Sequence, residues 1–231
     1  MTAQRLEHLH HWIKYLLLVV VVAWLGLFAL YLYQGGWERL QNSRTMARFF
    51  PASYFPGPQV AIISGHRGFD AGAVCEDGLM EAAINEAIAT RVVKRLNDEG
   101  VAAQLLDEYD PRLEGLHARA LLSIHADSCV GRSGFKIASA EQTSIPQLDA
   151  SLVACLRQSY EQATGLVFQA SAITADMTQY HAFQRIADDT PGAIIETGYL
   201  GGDRELLQDE PEKLAEAITS GIICFLDQST E

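Results

Sequence analysis

Val60-Ala-Ile-Ile-Ser-Gly-His66-Arg-Gly-Phe-Asp70 is the stretch on which the reading of this chain turns. Apolar and small residues run into a glycine, a histidine and a second glycine. The pattern predicts a short buried strand ending in a tight turn with His66 at its tip. Ala120-Leu-Leu-Ser-Ile-His125-Ala-Asp127 has the same form, and Gly192-Ala-Ile-Ile-Glu196-Thr-Gly198 repeats it with a carboxylate. In an open α/β sheet the carboxyl ends of parallel strands share one edge, where sites are usually built. The three segments therefore predict one edge carrying His66, His125 and Glu196.

The intervening residues fit that plan. From about Leu79 to Glu99, Ile84, Ile88, Val92 and Leu96 recur on one helical face, and Gly100 stops the helix. Residues 101–106 read as the next strand, a strand–helix–strand run that predicts a crossover and a largely parallel sheet. Asp107 to Arg119 reads as a polar connection with room for a helical turn. Residues 134–138 read as a short strand, 145–163 as a helix with Leu148, Leu152, Leu156 and Tyr160 on one face, and 166–176 as ambiguous. Met177 to Ala187 reads as helical, and Pro211 opens a last helix buried through Leu214, Ile218, Ile222 and Phe225. The expected fold is a three-layer α/β/α domain with a mostly parallel central sheet.

Upstream of it lies a different kind of sequence. No charge occurs between Lys14 and Glu38, and residues 15–33 are apolar on every side. Nineteen residues at the helical rise span about 28 Å, the thickness of a bilayer's hydrocarbon core. Trp12, Tyr31, Tyr33 and Trp37 stand where interfacial aromatics belong. A cleaved signal peptide has a shorter apolar region followed by a small-x-small site, so a retained anchor is the expectation. Arg5 and Lys14 before the span and Arg39, Arg44 and Arg48 after it leave orientation undecided by charge. The expected organisation is a cytoplasmic tail at 1–14, an anchor at 15–33, a Gly- and Pro-broken linker at 34–58 with a short helix within 37–49, and a domain at 59–231.

The formal net charge of the 231 residues is −12. Residues 1–48 carry five basic and two acidic residues; residues 49–231 carry twelve basic and twenty-seven acidic ones. An acidic domain without a basic stripe excludes nucleic acid as a partner.

Helix geometry separates two carboxylates. Glu81 lies seven residues before Ile88, nearly two turns, and so shares the buried stripe; Glu86 lies on the flank and should be solvated. A carboxylate facing a core is costly unless it is paired or bound to metal. At the first turn, Glu81 faces the edge that carries His66 and His125. Two histidines and a glutamate suit zinc, with a fourth position left for water. Taken alone, Glu81 also reads as a charge complementing the helix dipole.

Gly65-His66-x-Gly68-x-Asp70-x-Gly72, Glu81, Ser123-Ile-His-Ala-Asp127, Gly134-Phe135 and Pro191-Gly-Ala-Ile-Ile-Glu-Thr-Gly-Tyr-Leu200 occur in that order, followed by Glu205 and Leu207. From about Val60 to Leu226 the chain resembles the zinc-dependent N-acetylmuramoyl-L-alanine amidases of bacterial cell walls. The resemblance implies His66, Glu81 and His125 as zinc ligands and Glu196 as the catalytic base. It implies peptidoglycan as substrate, cut between the lactyl group of N-acetylmuramic acid and L-alanine. It also implies a bacterial cytoplasmic membrane location with the domain on the extracytoplasmic side. It names no protein activator. Arg67 stands where that family usually has glycine, Ser64 and Ala71 replace usual prolines, Gly202 replaces a common asparagine, and Asp107 replaces a basic residue. Two other readings keep the fold: a non-catalytic peptidoglycan-binding or regulatory protein, and a zinc peptidase acting on another peptide.

His117 and His181 read as surface or supporting residues, His181 on a helix near the site; His8, His10 and His11 belong to the polar tail. Cys75, Cys129, Cys155 and Cys224 form no C-x-x-C pair, so a cysteine zinc site or a thioredoxin-type motif is excluded. Three disulfide pairings remain open. Cys224 reads as a core residue, and a bridge between Cys75 and Cys129 near the site is a hypothesis.

Overall fold

The computed structural model describes residues 3–31 and 59–229. They fall into two units. The first is one helix, α1 (Ala3–Tyr31). Residues 10–30 have a mean hydropathy of 2.4 and none of that span is buried. The helix begins well before residue 15, so the polar tail and the apolar run are one continuous element. The expected linker at 34–58, the short helix within 37–49, and Tyr33 and Trp37 lie outside the described residues.

The second unit is built on β1 (Val60–Ser64), α2 (Glu81–Asp98), β2 (Ala103–Leu106), β3 (Ala120–Asp127), β4 (Lys136–Ser139), α3 (Pro146–Thr164), α4 (Ala175–Thr178), β5 (Gly192–Tyr199), α5 (Arg204–Asp209) and α6 (Pro211–Gln228). The strands form one sheet in the order β2-β1-β3-β5-β4. β1 pairs in parallel with β2 and β3, and β3 with β5. β4 closes the edge antiparallel to β5. This is the mostly parallel sheet expected, with one reversed edge strand.

The inner strands are apolar on both faces because both are covered. Val60, Ile62, Leu122, Ile124 and Ile195 point to a thick layer formed by α2, α3 and α6. Ala61, Ile63, Leu121 and Ile194 point to a thinner layer with Leu113, Leu116, Met177, Tyr180 and Ala182. That layer holds only α4 and the 3-10 turns Pro111–Leu113 and His181–Gln184. The helix expected over Met177 to Ala187 is therefore absent. The chain instead makes the short α4 and a 3-10 turn, which set Met177, Tyr180 and Ala182 against the sheet face.

Other boundaries moved for local reasons. α2 begins at Glu81 because Glu81 N donates to Ala73 O at 2.9 Å, tying the preceding loop back on itself. β2 begins at Ala103 because Val101 N still donates to Leu96 O at 2.9 Å, closing the end of α2. The ambiguous 166–176 segment carries a bridge from Phe168 to Phe135 and a 3-10 turn, Ala170–Ala172.

All four cysteines are bridged. Cys75–Cys129 ties the loop before α2 to the loop after β3, and Cys155–Cys224 ties α3 to α6. Cys224 is thus a cross-link as well as a packing residue.

Candidate metal centre

His66 stands two residues beyond β1 with a φ of 65°, the one positive value outside glycine among the described residues. A left-handed side-chain-bearing residue costs on the order of 1–3 kcal/mol and is retained where its surroundings fix it. Here the fixing is explicit. His66 N donates to Glu108 Oε2 at 2.8 Å, and its carbonyl accepts from Phe69 N at 3.0 Å and Asp70 N at 3.1 Å. His66 Nδ1 lies 2.6 Å from Asp70 Oδ1, which leaves Nε2 free to face inward. Such a carboxylate partner fixes the tautomer and orientation of a ligating imidazole.

Gly65 and Gly72 are required by close approach. A Cβ on Gly65 would fall within the His125 ring, and one on Gly72 would strike the Glu81 carboxylate. The backbone has been brought against the His125 and Glu81 side chains at these two points.

Glu81, the first residue of α2, is buried. Its Oε1 lies 3.2 Å from His66 Nε2 and 3.1 Å from His125 Nδ1. Its Oε2 accepts from Ala73 N at 3.0 Å. Burial opposes ionisation, but the contacts with His125 and His66 outweigh it and hold the carboxyl well below its usual range. Asn85, one turn on, donates to Glu81 Oε1 and to Gly65 O, both at 3.2 Å. Glu86 is exposed against Arg67, as helix geometry predicted.

His66, Glu81 and His125 each offer a ligand atom, and the three atoms lie within 4.8 Å of one another. In a tetrahedral site with zinc–ligand bonds of about 2.0–2.1 Å, ligand atoms stand about 3.3 Å apart. Each of the two nitrogens stands at nearly that distance from Glu81 Oε1, and the donor set suits a zinc-sized ion.

Glu196 lies on β5 directly opposite His125 on β3. Lys136 on β4 is opposite Glu196 on the other side. One row across three strands therefore holds a histidine, a carboxylate and an ammonium. Lys136 Nζ is 2.5 Å from Asp127 Oδ2. Glu196 Oε2 is buried without a hydrogen-bond partner. Burial raises its pKa to about 7, against the nearby charges of His125 and Lys136, which pull it down. Thr197 Oγ1 donates to His125 O at 2.8 Å, and Tyr160 Oη to Thr197 O at 2.6 Å, locking the two strands at this point.

The sequence reading missed Glu108. Its buried carboxylate accepts from His66 N, lies 3.5 Å from His125 Nε2, and accepts from Tyr180 Oη at 2.8 Å. His181 Nε2 is 3.0 Å away. Burial opposes its ionisation, and the contacts with His125 and His181 overcome that and lower its pKa. Its only sequence signal is a position just past a strand end, shared with Asp107, Asp110 and others. His181 is beside the site but on a 3-10 turn rather than a helix. His117 is exposed and 2.9 Å from Asp189, away from these groups.

Fold and site together define a three-layer α/β domain with a candidate metal site at the carboxyl edge of its parallel strands. Residues 60–224 match the family model of N-acetylmuramoyl-L-alanine amidases, and the chain belongs to that family of cell-wall hydrolases. Among solved structures it is similar to the N-acetylmuramoyl-L-alanine amidase AmiC2 of Nostoc punctiforme, with 25% identity over 73% of this chain and 96% of that one and a TM-score of 0.56. The fold is shared by the CwlD amidase from Clostridioides difficile in complex with the GerS lipoprotein, at 20% identity over 74% and 99% of the two chains and a TM-score of 0.56. It is shared too by the N-acetylmuramoyl-L-alanine amidase from Clostridium difficile 630, at 16% identity over 74% and 97% and a TM-score of 0.57. No curated protein matches the chain.

Proposed function

We propose that residues 59–231 form a zinc amidase domain that cuts peptidoglycan between N-acetylmuramic acid and L-alanine. His66, Glu81 and His125 hold the metal, and Glu196 is the general base. The observation that carries this reading is the convergence of the three ligand atoms with an unpartnered carboxylate opposite one of them. Zinc bound there supplies Lewis-acid polarisation of the scissile carbonyl and acidifies the attacking water.

The protein's own groups do the rest. Asp70 fixes the His66 tautomer so that Nε2 faces the ligand set. Glu196 takes the attacking water's proton and returns it to the departing amine of L-alanine. A pKa of about 7 suits a group that must do both near neutral pH. α1 anchors the chain in the cytoplasmic membrane with the domain on the extracytoplasmic side, where the substrate lies.

Glu196→Gln and Glu81→Gln separate the two roles. Glu196→Gln is nearly isosteric but cannot accept the proton, so zinc content should hold while muropeptide turnover falls about 10²–10⁴-fold. Glu81→Gln should lose zinc. Near-normal turnover in Glu196→Gln, or zinc loss as severe as in Glu81→Gln, would remove Glu196 from the role of base.

A further inference from the structure

Aromatic rings form one continuous ladder from the metal centre to solvent. His66 meets His125 at 5.0 Å between centroids, and His125 meets Tyr180 at 5.8 Å. Tyr180 packs on His181 at 4.5 Å, and His181 stacks on Tyr109 at 4.2 Å. Tyr109 ends edge-to-face against Phe69 at 4.6 Å. The inner rings are buried or half-buried, whereas Tyr109 is 51% exposed and Phe69 64% exposed. Single exposed apolar residues are common and need no explanation. These two come from different loops, touch each other, and are braced from beneath by His181, which is itself held on Glu108. Phe69 is three residues from His66 and Tyr109 is next to Glu108, so the pair borders the metal centre.

We propose that Phe69 and Tyr109 form a saccharide platform, seating a sugar ring of the glycan on the carbonyl side of the scissile amide. The inference rests on the amidase reading above and adds a direction to it. Along the sheet edge the order is Tyr109 after β2, Phe69 after β1, His125 on β3, Glu196 on β5 and Lys136 on β4. Glu196 delivers a proton to the departing amine, so the stem peptide leaves on the β5 side. The acyl half, which is the sugar's lactyl group, then extends toward β1 and β2. A sugar ring offers an apolar C–H face to an aromatic ring and carries no charge there. Behind the platform Asp107 is paired with Arg67, and at the opposite end Lys136 is paired with Asp127, so both ends hold neutralised ion pairs and the direction rests on sheet order. Sheet order thus gives the groove one polarity.

The test compares full-length protein in detergent micelles with Phe69→Ala, Tyr109→Ala and the ring-preserving Tyr109→Phe. On a glycan-linked muropeptide, KM should rise roughly threefold to tenfold in each alanine variant with kcat and zinc content held, and Tyr109→Phe should retain the parent KM. On a lactyl-peptide lacking the sugar the alanine variants should match the parent. Unchanged KM in both alanine variants, or an equal rise on the sugar-free substrate, overturns the platform. Calorimetric titration with a β-1,4-linked N-acetylglucosamine tetramer gives an arm independent of catalysis. Binding by the parent that is lost in Phe69→Ala supports the platform even if no variant turns over, a result that would count against the amidase reading alone. Absence of binding by a parent that is itself inactive overturns the platform with it.

Discussion

Glu196 shows what position does to one carboxyl. Placed on a buried strand with no hydrogen-bond partner for Oε2, it has its pKa raised by burial to about 7 from a usual 4.5. A carboxyl raised in this way contributes its full share to stability below its unfolded pKa. That contribution is lost as pH rises through the folded value, between about 4.5 and 7 in metal-free protein. Chelator-treated Glu196→Gln should therefore be more stable than the parent at pH 8, by about 3 kcal/mol, with the gap closing near pH 4.5. Thermal melts across that range check it; a gap that does not change with pH would mean the carboxyl is not strained by burial. Glu108 is the opposite case, a buried carboxylate that accepts from His66 N and Tyr180 Oη. It holds His66 through the backbone and faces the outer nitrogen of His125. Glu108→Gln should weaken zinc binding by about 10–100-fold, as removal of an outer partner of a ligating histidine does. Chelator competition measures it, and affinity within twofold of the parent would deny Glu108 that role.

At the scale of elements, α3 and α6 come into close contact at Gly221. A Cβ there would stand 2.8 Å from Leu156 Cα, which is backbone and cannot swing aside. Helix propensity alone favours Gly221→Ala by about 1 kcal/mol. Overpacking against a neighbouring helix costs about 1–3 kcal/mol, and Cys155–Cys224 limits how far the pair can separate. The expected outcome is net destabilisation, read as a lower urea midpoint at unchanged slope. α2 was legible in its stripe and its stop, since Ile84, Ile88, Val92 and Leu96 are buried and Gly100 has a φ of 81°. The segment from Met177 to Ala187 was not, because its inward residues are placed by the sheet face they cover rather than by a helical period.

At the scale of the molecule, the two units predict a separable domain. A fragment starting near Phe50 should be soluble and fold alone, since residues 59–229 hold a sheet covered on both faces. The full chain should resist alkaline carbonate extraction. Recovery from cells of a mature protein lacking residues 1–33 would show cleavage and end the anchor proposal.

The sequence determined the parts whose signal is local. Three apolar runs ending in His66, His125 and Glu196 established strands, direction and a shared edge, because period and turn residues act over a few positions. The stripe through Ile88 put Glu81 on the buried face, and an unbroken apolar run marked α1. Only the tertiary structure decided what depends on distance between loops. It brought Glu108, Asn85 and Tyr180 around His66, Glu81 and His125, joined Phe69 to Tyr109, aligned Lys136 opposite Glu196, and chose the pairings Cys75–Cys129 and Cys155–Cys224 from three possibilities. None of these residues carries a period or a spacing that names its partner. Each acquires its role from strands and loops that packing brings together, and that packing is a property of the whole chain.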